Sequence, residues 1–332
     1  SSAASDVYKR QPTPTPNAGE VLVRVQALGV SWGDVLWRQN LASEEATLPS
    51  GVGSELAGIV EAVGEGVDDL AVGTPVAAFP ANTPNRYPTW GDVVVVPRYA
   101  LTRYPDVLSP VEASIHYTGL LFAYFAMVDL AKLKAGQHVL ITEACHCLAP
   151  QSVQLAKALG ANVIVSTSVS GSREFLRELG ADKIIFTEEQ DLVLEVERYT
   201  EGKGAEVILD HCAGQQLKLL GDVAATRGKL ILYGLNGGND TAFPACAAFK
   251  KHLQFFRHCV LDFTGHSELG IEQDHAAVQR ALDHINMLTA DGLLKPRIDK
   301  TFPFEEFAES HRYMDCLLYT SDATDEGLGV DL

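Results

Sequence analysis

From Gln137 onward the chain repeats one unit: a short apolar run, then a helical stretch, then another short apolar run. QHVLIT (Gln137 to Thr142) is followed by PQSVQLAKAL (Pro150 to Leu159), which has proline in its first turn and is closed by Gly160. NVIVS (Asn162 to Ser166) comes next. The unit returns as a helix over Arg173 to Leu179 before a strand at Lys183 to Phe186. It returns again as a helix over Asp191 to Thr200 before Ala205 to Asp210, and as a helix over Gln216 to Ala224 before Lys229 to Tyr233. Gln254 to Leu261 reads as a sixth strand. Strands joined by single helices cross over rather than fold back as hairpins. The pattern therefore predicts a doubly wound α/β domain, a parallel sheet with helices on both faces.

The first part of the chain has a different rhythm. EVLVRVQA (Glu20 to Ala27) alternates apolar and polar residues, as a half-buried strand does. Further strands are predicted at Gly58 to Val63, Pro75 to Phe79 and Val93 to Val96, punctuated by glycine and proline. An amphipathic helix over Ala276 to Leu288 precedes a return to this β-rich part at Leu294 to Pro303. The expected organisation is thus a β-rich domain over 12–120 and 271–315, with the α/β domain over 121–270 inserted into it. Residues 1–11 and 316–332 lack amphipathic periodicity and resemble translated adapter sequence, so they are set aside as non-native-looking tails.

Charge narrows the function classes. Against 43 Asp and Glu stand 26 Lys and Arg, a formal charge of −17. Phosphate-backbone binding needs a basic face, so a nucleic-acid partner is not expected, nor is an anionic membrane surface. The longest apolar run, Tyr117 to Val128, is short of the roughly 18 to 20 residues that cross a bilayer. The six cysteines show no CxxC pair and no disulfide-dense spacing. They read as reduced thiols of a cytoplasmic protein.

In a doubly wound sheet the dinucleotide pyrophosphate rests on the helix that follows the first strand. Here that turn is Glu143-Ala-Cys-His-Cys-Leu-Ala-Pro150, with no glycine. Two readings stay open: amides of Cys145, His146, Cys147, Leu148 and Ala149 facing phosphate, or a structural turn in a sheet without cofactor. The second strand ends in Ser166, Thr167 and Ser168, and no carboxylate appears before Glu174. An acidic residue there would hold a ribose 2′-hydroxyl. Hydroxyls with Arg173 nearby suit a 2′-phosphate instead, unless Arg173 is only a solvated helix charge.

Several segments together resemble the medium-chain dehydrogenase/reductase superfamily, in its zinc-free quinone oxidoreductase-like (zeta-crystallin-like) branch. They include GEVLVRVQALGVSWGD (Gly19 to Asp34), GSELAGIVEAVGEGV (Gly53 to Val67), LKAGQHVLIT (Leu133 to Thr142) and QLAKALGANVIVST (Gln154 to Thr167). The others are VGTPV (Val72 to Val76), ELGADKII (Glu178 to Ile185), GKGAEVILDHCAG (Gly202 to Gly214), GKLILYG (Gly228 to Gly234) and GLLKPRIDKTFPFEEFAESHRYM (Gly292 to Met314). The resemblance implies a GroES-like substrate domain, a Rossmann domain, NADPH as cofactor and a homodimer. It adds Cys212, Tyr233, Gly234 and Leu235 to the cofactor lining. Where zinc-dependent relatives carry Cys and a His-Glu pair, this chain has Ser31 and Ser54-Glu55, so no metal is expected. Cys145-His146-Cys147, three consecutive residues on one turn, would not converge on a tetrahedral ion.

The expected reaction is hydride transfer from NADPH to a small molecule, a quinone or an α,β-unsaturated carbonyl. The developing enolate oxygen wants a hydrogen-bond donor. By resemblance the candidates near the cleft are Ser31, the Trp32 indole and Tyr117; the alternatives are turn formation for Ser31 and interdomain packing for the other two. Asp34 is expected to order its turn. Two other functions stay open: an enoyl reductase on carrier-bound acyl chains, and a cofactor-free structural protein.

Overall fold

The computed structural model describes residues 12–317 and 330–331. Six parallel strands form one sheet: β6 (His138–Ile141), β7 (Asn162–Thr167), β8 (Lys183–Phe186), β9 (Ala205–Asp210), β10 (Ala224–Leu232) and β11 (Gln254–Arg257). Their spatial order is β11-β10-β9-β6-β7-β8. Alternate side chains of each strand enter two different cores. Val139, Ile141, Val163, Val165, Val207 and Leu209 pack on one face, while Leu140, Ile164, Ile185, Ile208 and Leu230 pack on the other. Burial on both faces is why these strands read as continuous apolar runs. The helices between them are α3 (Ala149–Ala158), α4 (Arg173–Leu179), α5 (Leu192–Tyr199) and α6 (Leu217–Val223).

The second body is a seven-stranded sheet built on β1 (Glu20–Val30), β2 (Leu56–Val63), β3 (Pro75–Ala78), β4 (Val93–Pro97) and β5 (Leu101–Thr102). β1 pairs antiparallel with both β2 and β4. Between the two bodies runs α2 (Pro110–Tyr124), continued by a π-helical turn over Phe125–Leu130. Its start is fixed chemically. Ser109 Oγ accepts from Glu112 N at 3.1 Å, the Glu112 carboxylate accepts from Ser109 N at 3.0 Å, and Pro110 occupies the first turn. α2 packs in one core with Ala57, Ala77 and Phe79 of the β-rich body and with Val139 and Ile141 of the parallel sheet. It also meets α9 (His275–Ala290), where His116 Nε2 lies 2.8 Å from Thr289 Oγ1.

Four differences from the sequence reading are physical. The boundary expected at residue 120 falls inside the continuous Pro110–Leu130 helix. That helix is long and apolar enough to cross a membrane by length and composition, although its uninterrupted apolar run is only twelve residues. Here 78% of its most apolar window is buried inside the protein. The sixth strand ends at Arg257 rather than Leu261: Asp262 accepts from Cys259 N at 3.0 Å and pairs with Arg257 at 3.0 Å, which turns the chain into α8 (Leu261–Thr264). Finally, Val330–Asp331, from the segment set aside, forms β13 beside Gly29 and Val30 of β1 and beside β12 (Lys300–Thr301). An open strand edge pairs with whatever extended backbone reaches it. The segments 1–11 and 318–329 lie outside the described residues. α1 (Trp32–Arg38), α7 (Ala245–Lys251) and α10 (Phe307–Leu317) complete the helices among those residues.

Candidate cofactor and active site

β6 lies between β9 and β7, and the chain leaves it toward opposite edges of the sheet. The crevice outside the carboxyl ends of β6 and β9 is therefore the topological switch point, where open α/β sheets bind ligands. Three loops line it: 142–148 after β6, 211–213 after β9 and 233–236 after β10.

The β6 loop is wound from tight turns. His146 N donates to the Glu143 carbonyl and Ala149 N to the His146 carbonyl, each at 3.1 Å. Glu143 and Cys147 both occupy the left-handed region, with φ of 43° and 55°. Non-glycine residues pay for that conformation, so the loop has kept a backbone path that glycine would follow freely. Leu148 caps α3 and has no side-chain acceptor for the first-turn amides. Ala149 is fully buried, and Cys145 Sγ is 3.5 Å from Thr167 Oγ1.

Side chains bridge the crevice above this loop. Asn236 donates from Nδ2 to His211 Nδ1 at 2.9 Å and to Cys147 Sγ at 3.3 Å. His211 in turn donates from Nε2 to the Glu143 carbonyl at 3.2 Å, which fixes its neutral tautomer. Burial works to lower the His211 pKa; the Cys147 sulfur, the Glu143 carbonyl and the Asp210 charge outweigh it and raise it. Asp210 closes the floor, accepting from Thr142 Oγ1 at 2.5 Å and from Ala213 N at 2.8 Å. Burial, with Asp210, Glu143 and Cys147 nearby, pushes the Cys212 thiol up to about 12.

The β10 loop brings Tyr233, Gly234 and Leu235 over the β9 loop. A side chain on Gly234 would meet the His211 carbonyl at 2.5 Å, so only glycine fits there. Leu235 is exposed. Tyr233 packs at a tilt of 52° against Phe122 of α2 with ring centroids 4.6 Å apart, and its buried hydroxyl has no partner among the described residues. Burial and the neighbouring Cys147, Asp210 and Cys212 hold that hydroxyl protonated.

This geometry fits a dinucleotide, with one constriction. At the α3 N-terminus Ala149 N is held by the His146 carbonyl and Pro150 has no amide, which leaves the Gln151 amide and the helix dipole for an anion, and the Tyr233 hydroxyl offers a donor without an acceptor among the described residues. Cys147 narrows the space between them, since its sulfur reaches Asn236. At the ribose corner Ser166 and Thr167 are buried, and Thr167 Oγ1 already accepts from Val169 N at 3.0 Å. Arg173, expected at a 2′-phosphate, stacks on the Phe186 ring at 4.7 Å. Ser168 is exposed and donates to Glu143, a residue the sequence reading left unassigned. Asn236 was also missed. Both act across loops far apart in sequence, and no local spacing signals that.

The substrate-side candidates are engaged separately. Ser31 donates from its backbone N at 2.8 Å and from Oγ at 3.4 Å to Asp34, so Asp34 orders the turn into α1. Burial raises the Asp34 pKa to about 6. Trp32 packs on the small core of Val30, Val35, Phe302 and Met314. Tyr117 donates to Asn286 Oδ1 of α9 at 2.6 Å, and burial keeps it protonated. Among the described residues no cluster of three His, Cys, Asp or Glu side chains could hold a metal.

The comparisons with known proteins agree with this architecture. The alcohol dehydrogenase GroES-like domain family matches residues 17–105, and the zinc-binding dehydrogenase family matches residues 151–269. The chain is 28% identical over 313 residues to the synaptic vesicle membrane protein VAT-1 homolog of Rattus norvegicus, covering 91% of this chain and 75% of that protein. It is also 28% identical over 315 residues to a mycocerosic acid synthase-like polyketide synthase of Mycobacterium tuberculosis, covering 92% of this chain but 14% of that much larger protein. A structure of an NAD-dependent alcohol dehydrogenase superposes with a TM-score of 0.81 at 26% identity, covering 97% of this chain and 94% of that one. Escherichia coli quinone oxidoreductase complexed with NADPH superposes with a TM-score of 0.80 at 22% identity and the same coverage, a likeness of fold. The chain thus carries, in order, the two matched domain families that make up the medium-chain dehydrogenase/reductase architecture, and its likeness to quinone oxidoreductase is one of fold.

Proposed function

We propose that the protein is a nicotinamide-dependent reductase that acts without zinc on a small quinone or α,β-unsaturated carbonyl. The observation that carries this reading is the switch-point crevice itself, where α3 begins without a side-chain cap and the buried Tyr233 hydroxyl has no partner among the described residues. When bound, the dinucleotide supplies the hydride. The start of α3, through the Gln151 amide and the helix dipole, holds its pyrophosphate, and protonated Tyr233 donates a hydrogen bond into the crevice. Phe122, buried and packed at a tilt against Tyr233, makes that wall apolar. On the substrate side the Trp32 indole is a donor for a developing enolate oxygen, and the Ser31 hydroxyl can serve only by leaving its 3.4 Å contact with Asp34; Tyr117 is committed to Asn286. The Ser31 and Ser54 side chains offer neither thiolate nor imidazole, which supports chemistry without zinc.

The likeness to a polyketide synthase supports one second reading, reduction of an enoyl chain carried as a thioester. The same proposal takes the working form to be a homodimer in the reducing cytoplasm, with Cys145, Cys147, Cys212, Cys246 and Cys259 as free thiols.

The test is a thermal-shift titration with NADH and NADPH, followed by turnover on quinones, enones and an enoyl thioester with and without a chelator. At a ligand concentration 100 times Kd, linkage adds roughly 2.7 kcal/mol, on the order of 5 °C in midpoint. A shift with at least one dinucleotide and chelator-resistant turnover is expected. No shift at millimolar concentrations of either would leave a cofactor-free protein. Loss of turnover with the chelator would overturn zinc independence.

A further inference from the structure

In a doubly wound sheet the adenosine ribose lies at the carboxyl end of the strand after the phosphate loop, and an acidic residue at that strand's end holds its hydroxyls. The strand here is β7, and it runs out through Thr167 into Ser168 with no carboxylate of its own. A carboxylate is nevertheless present. Glu143, at the start of the β6 loop, reaches across so that its Oε2 accepts from Ser168 N at 3.2 Å and from Ser168 Oγ at 3.0 Å. Its position is set from two sides: its carbonyl is held by His211 at 3.2 Å, and its backbone lies in the left-handed region at φ 43°. No Lys or Arg forms an ion pair with it among the described residues, and Arg173 sits on the Phe186 ring instead.

We propose that Glu143 is the residue that reads the adenosine ribose, so that the protein takes NADH in preference to NADPH. The proposal rests on the reading that the crevice binds a nicotinamide dinucleotide. A carboxylate only accepts hydrogen bonds, and the ribose 2′- and 3′-hydroxyls only need to donate to it. A 2′-phosphate brings nearly two further negative charges and no donor, so it meets Glu143 as a like charge. This reverses the expectation drawn from the end of β7 alone. The acid is in place, but it comes from a different strand.

The test is direct binding, read by calorimetry with no substrate present. NADH and NADPH are titrated into the full chain, into Glu143→Gln, and into Glu143→Gln combined with Ser168→Asp. The wild type is expected to bind NADH about ten- to a hundredfold more tightly than NADPH, the range for a charge-assisted hydrogen bond. Glu143→Gln keeps the size of the side chain and removes its charge; it should weaken NADH and strengthen NADPH, bringing the two together. The double variant puts the carboxylate back at the end of β7 and should restore the preference for NADH. Adenosine diphosphate ribose and its 2′-phosphate, titrated in the same way, should show the same ratios, which places the effect at the ribose. A wild type that binds NADPH as tightly as NADH overturns the proposal, as does a ratio that Glu143→Gln leaves unchanged. A wild type that binds neither overturns the reductase reading itself, and this proposal with it.

Discussion

At the end of β1 the chain enters a helix through Ser31, whose backbone and hydroxyl both donate to Asp34, three residues on and 4% exposed. At the end of β6 it enters a helix through seven residues, two of them non-glycine in the left-handed region, and reaches α3 with no side-chain cap. Both are strand-to-helix turns. The first closes the polar groups of Ser31 on Asp34 within four residues. The second gives its helix no side-chain cap and sends its side chains to other loops: Cys147 to Asn236, and Glu143 to Ser168. The contrast shows how to tell a structural turn from a binding turn in one molecule. A turn that closes its own hydrogen bonds serves the fold; one whose bonds run to other loops, with no side-chain cap on its helix, is built around something it does not contain.

The strongest way to break this contrast is to deform the binding side. Gly234→Ala drives a Cβ to 2.5 Å from the His211 carbonyl, a backbone atom that cannot swing aside. A loss of about 3 kcal/mol is expected in urea unfolding, together with loss of dinucleotide binding. Unchanged stability would mean that the β10 loop does not pack on His211 as described.

A second variant sharpens the structural side. The folded-state pKa of Asp34, about 6, lies above its unfolded value of 3.8. The folded state therefore holds that proton more tightly. Stability contributed by this group is present below about pH 4 and is lost as pH rises to about 6. Asp34→Asn keeps an acceptor for Ser31 and removes the charge. It should be more stable than the wild type at pH 7 by about 2 kcal/mol, with the gain fading toward pH 4. A destabilised variant at pH 7 would show that the charge, not only the acceptor, holds the turn.

The smallest effect concerns the constriction. Cys147→Gly frees a left-handed residue and clears the space beside Asn236. Stability should change by less than about 1 kcal/mol, and both dinucleotides should bind several-fold more tightly with their ratio unchanged. A change in the ratio, measured by the same calorimetry, would place Cys147 at the ribose rather than at the pyrophosphate.

Much of the α/β body was legible because its signals are local. Apolar runs such as Val139–Ile141 and helix boundaries such as Arg173–Leu179 follow from burial on both sheet faces and from glycine stops. The position of the phosphate loop was legible for the same reason. Its chemistry was not. The end of β7 showed no acid, yet the acid arrives from Glu143, 25 positions earlier in the chain. Tyr117 looked like a donor until α9 brought Asn286 to it from 169 positions away. Strand periodicity could not foresee the β13 pairing either, because a bare backbone edge at Gly29 and Val30 accepts an extended partner without asking for a particular sequence.

The helix between the two bodies carries a consequence for how this chain comes into being. Pro110–Leu130 is apolar over a bilayer's width, and the groups that cover it arrive late: β6 begins at residue 138, and α9, which receives Tyr117 and His116, ends at residue 290. During synthesis the β-rich strands emerge first but cannot seal the far side of this helix by themselves. For the time it takes to make the following 160 or so residues, roughly ten to thirty seconds at ordinary elongation rates, the nascent protein presents a greasy rod that only its own downstream sequence can hide. This helix is therefore covered in full only once the chain has been made as far as Ala290, when the inserted domain and α9 together close over it.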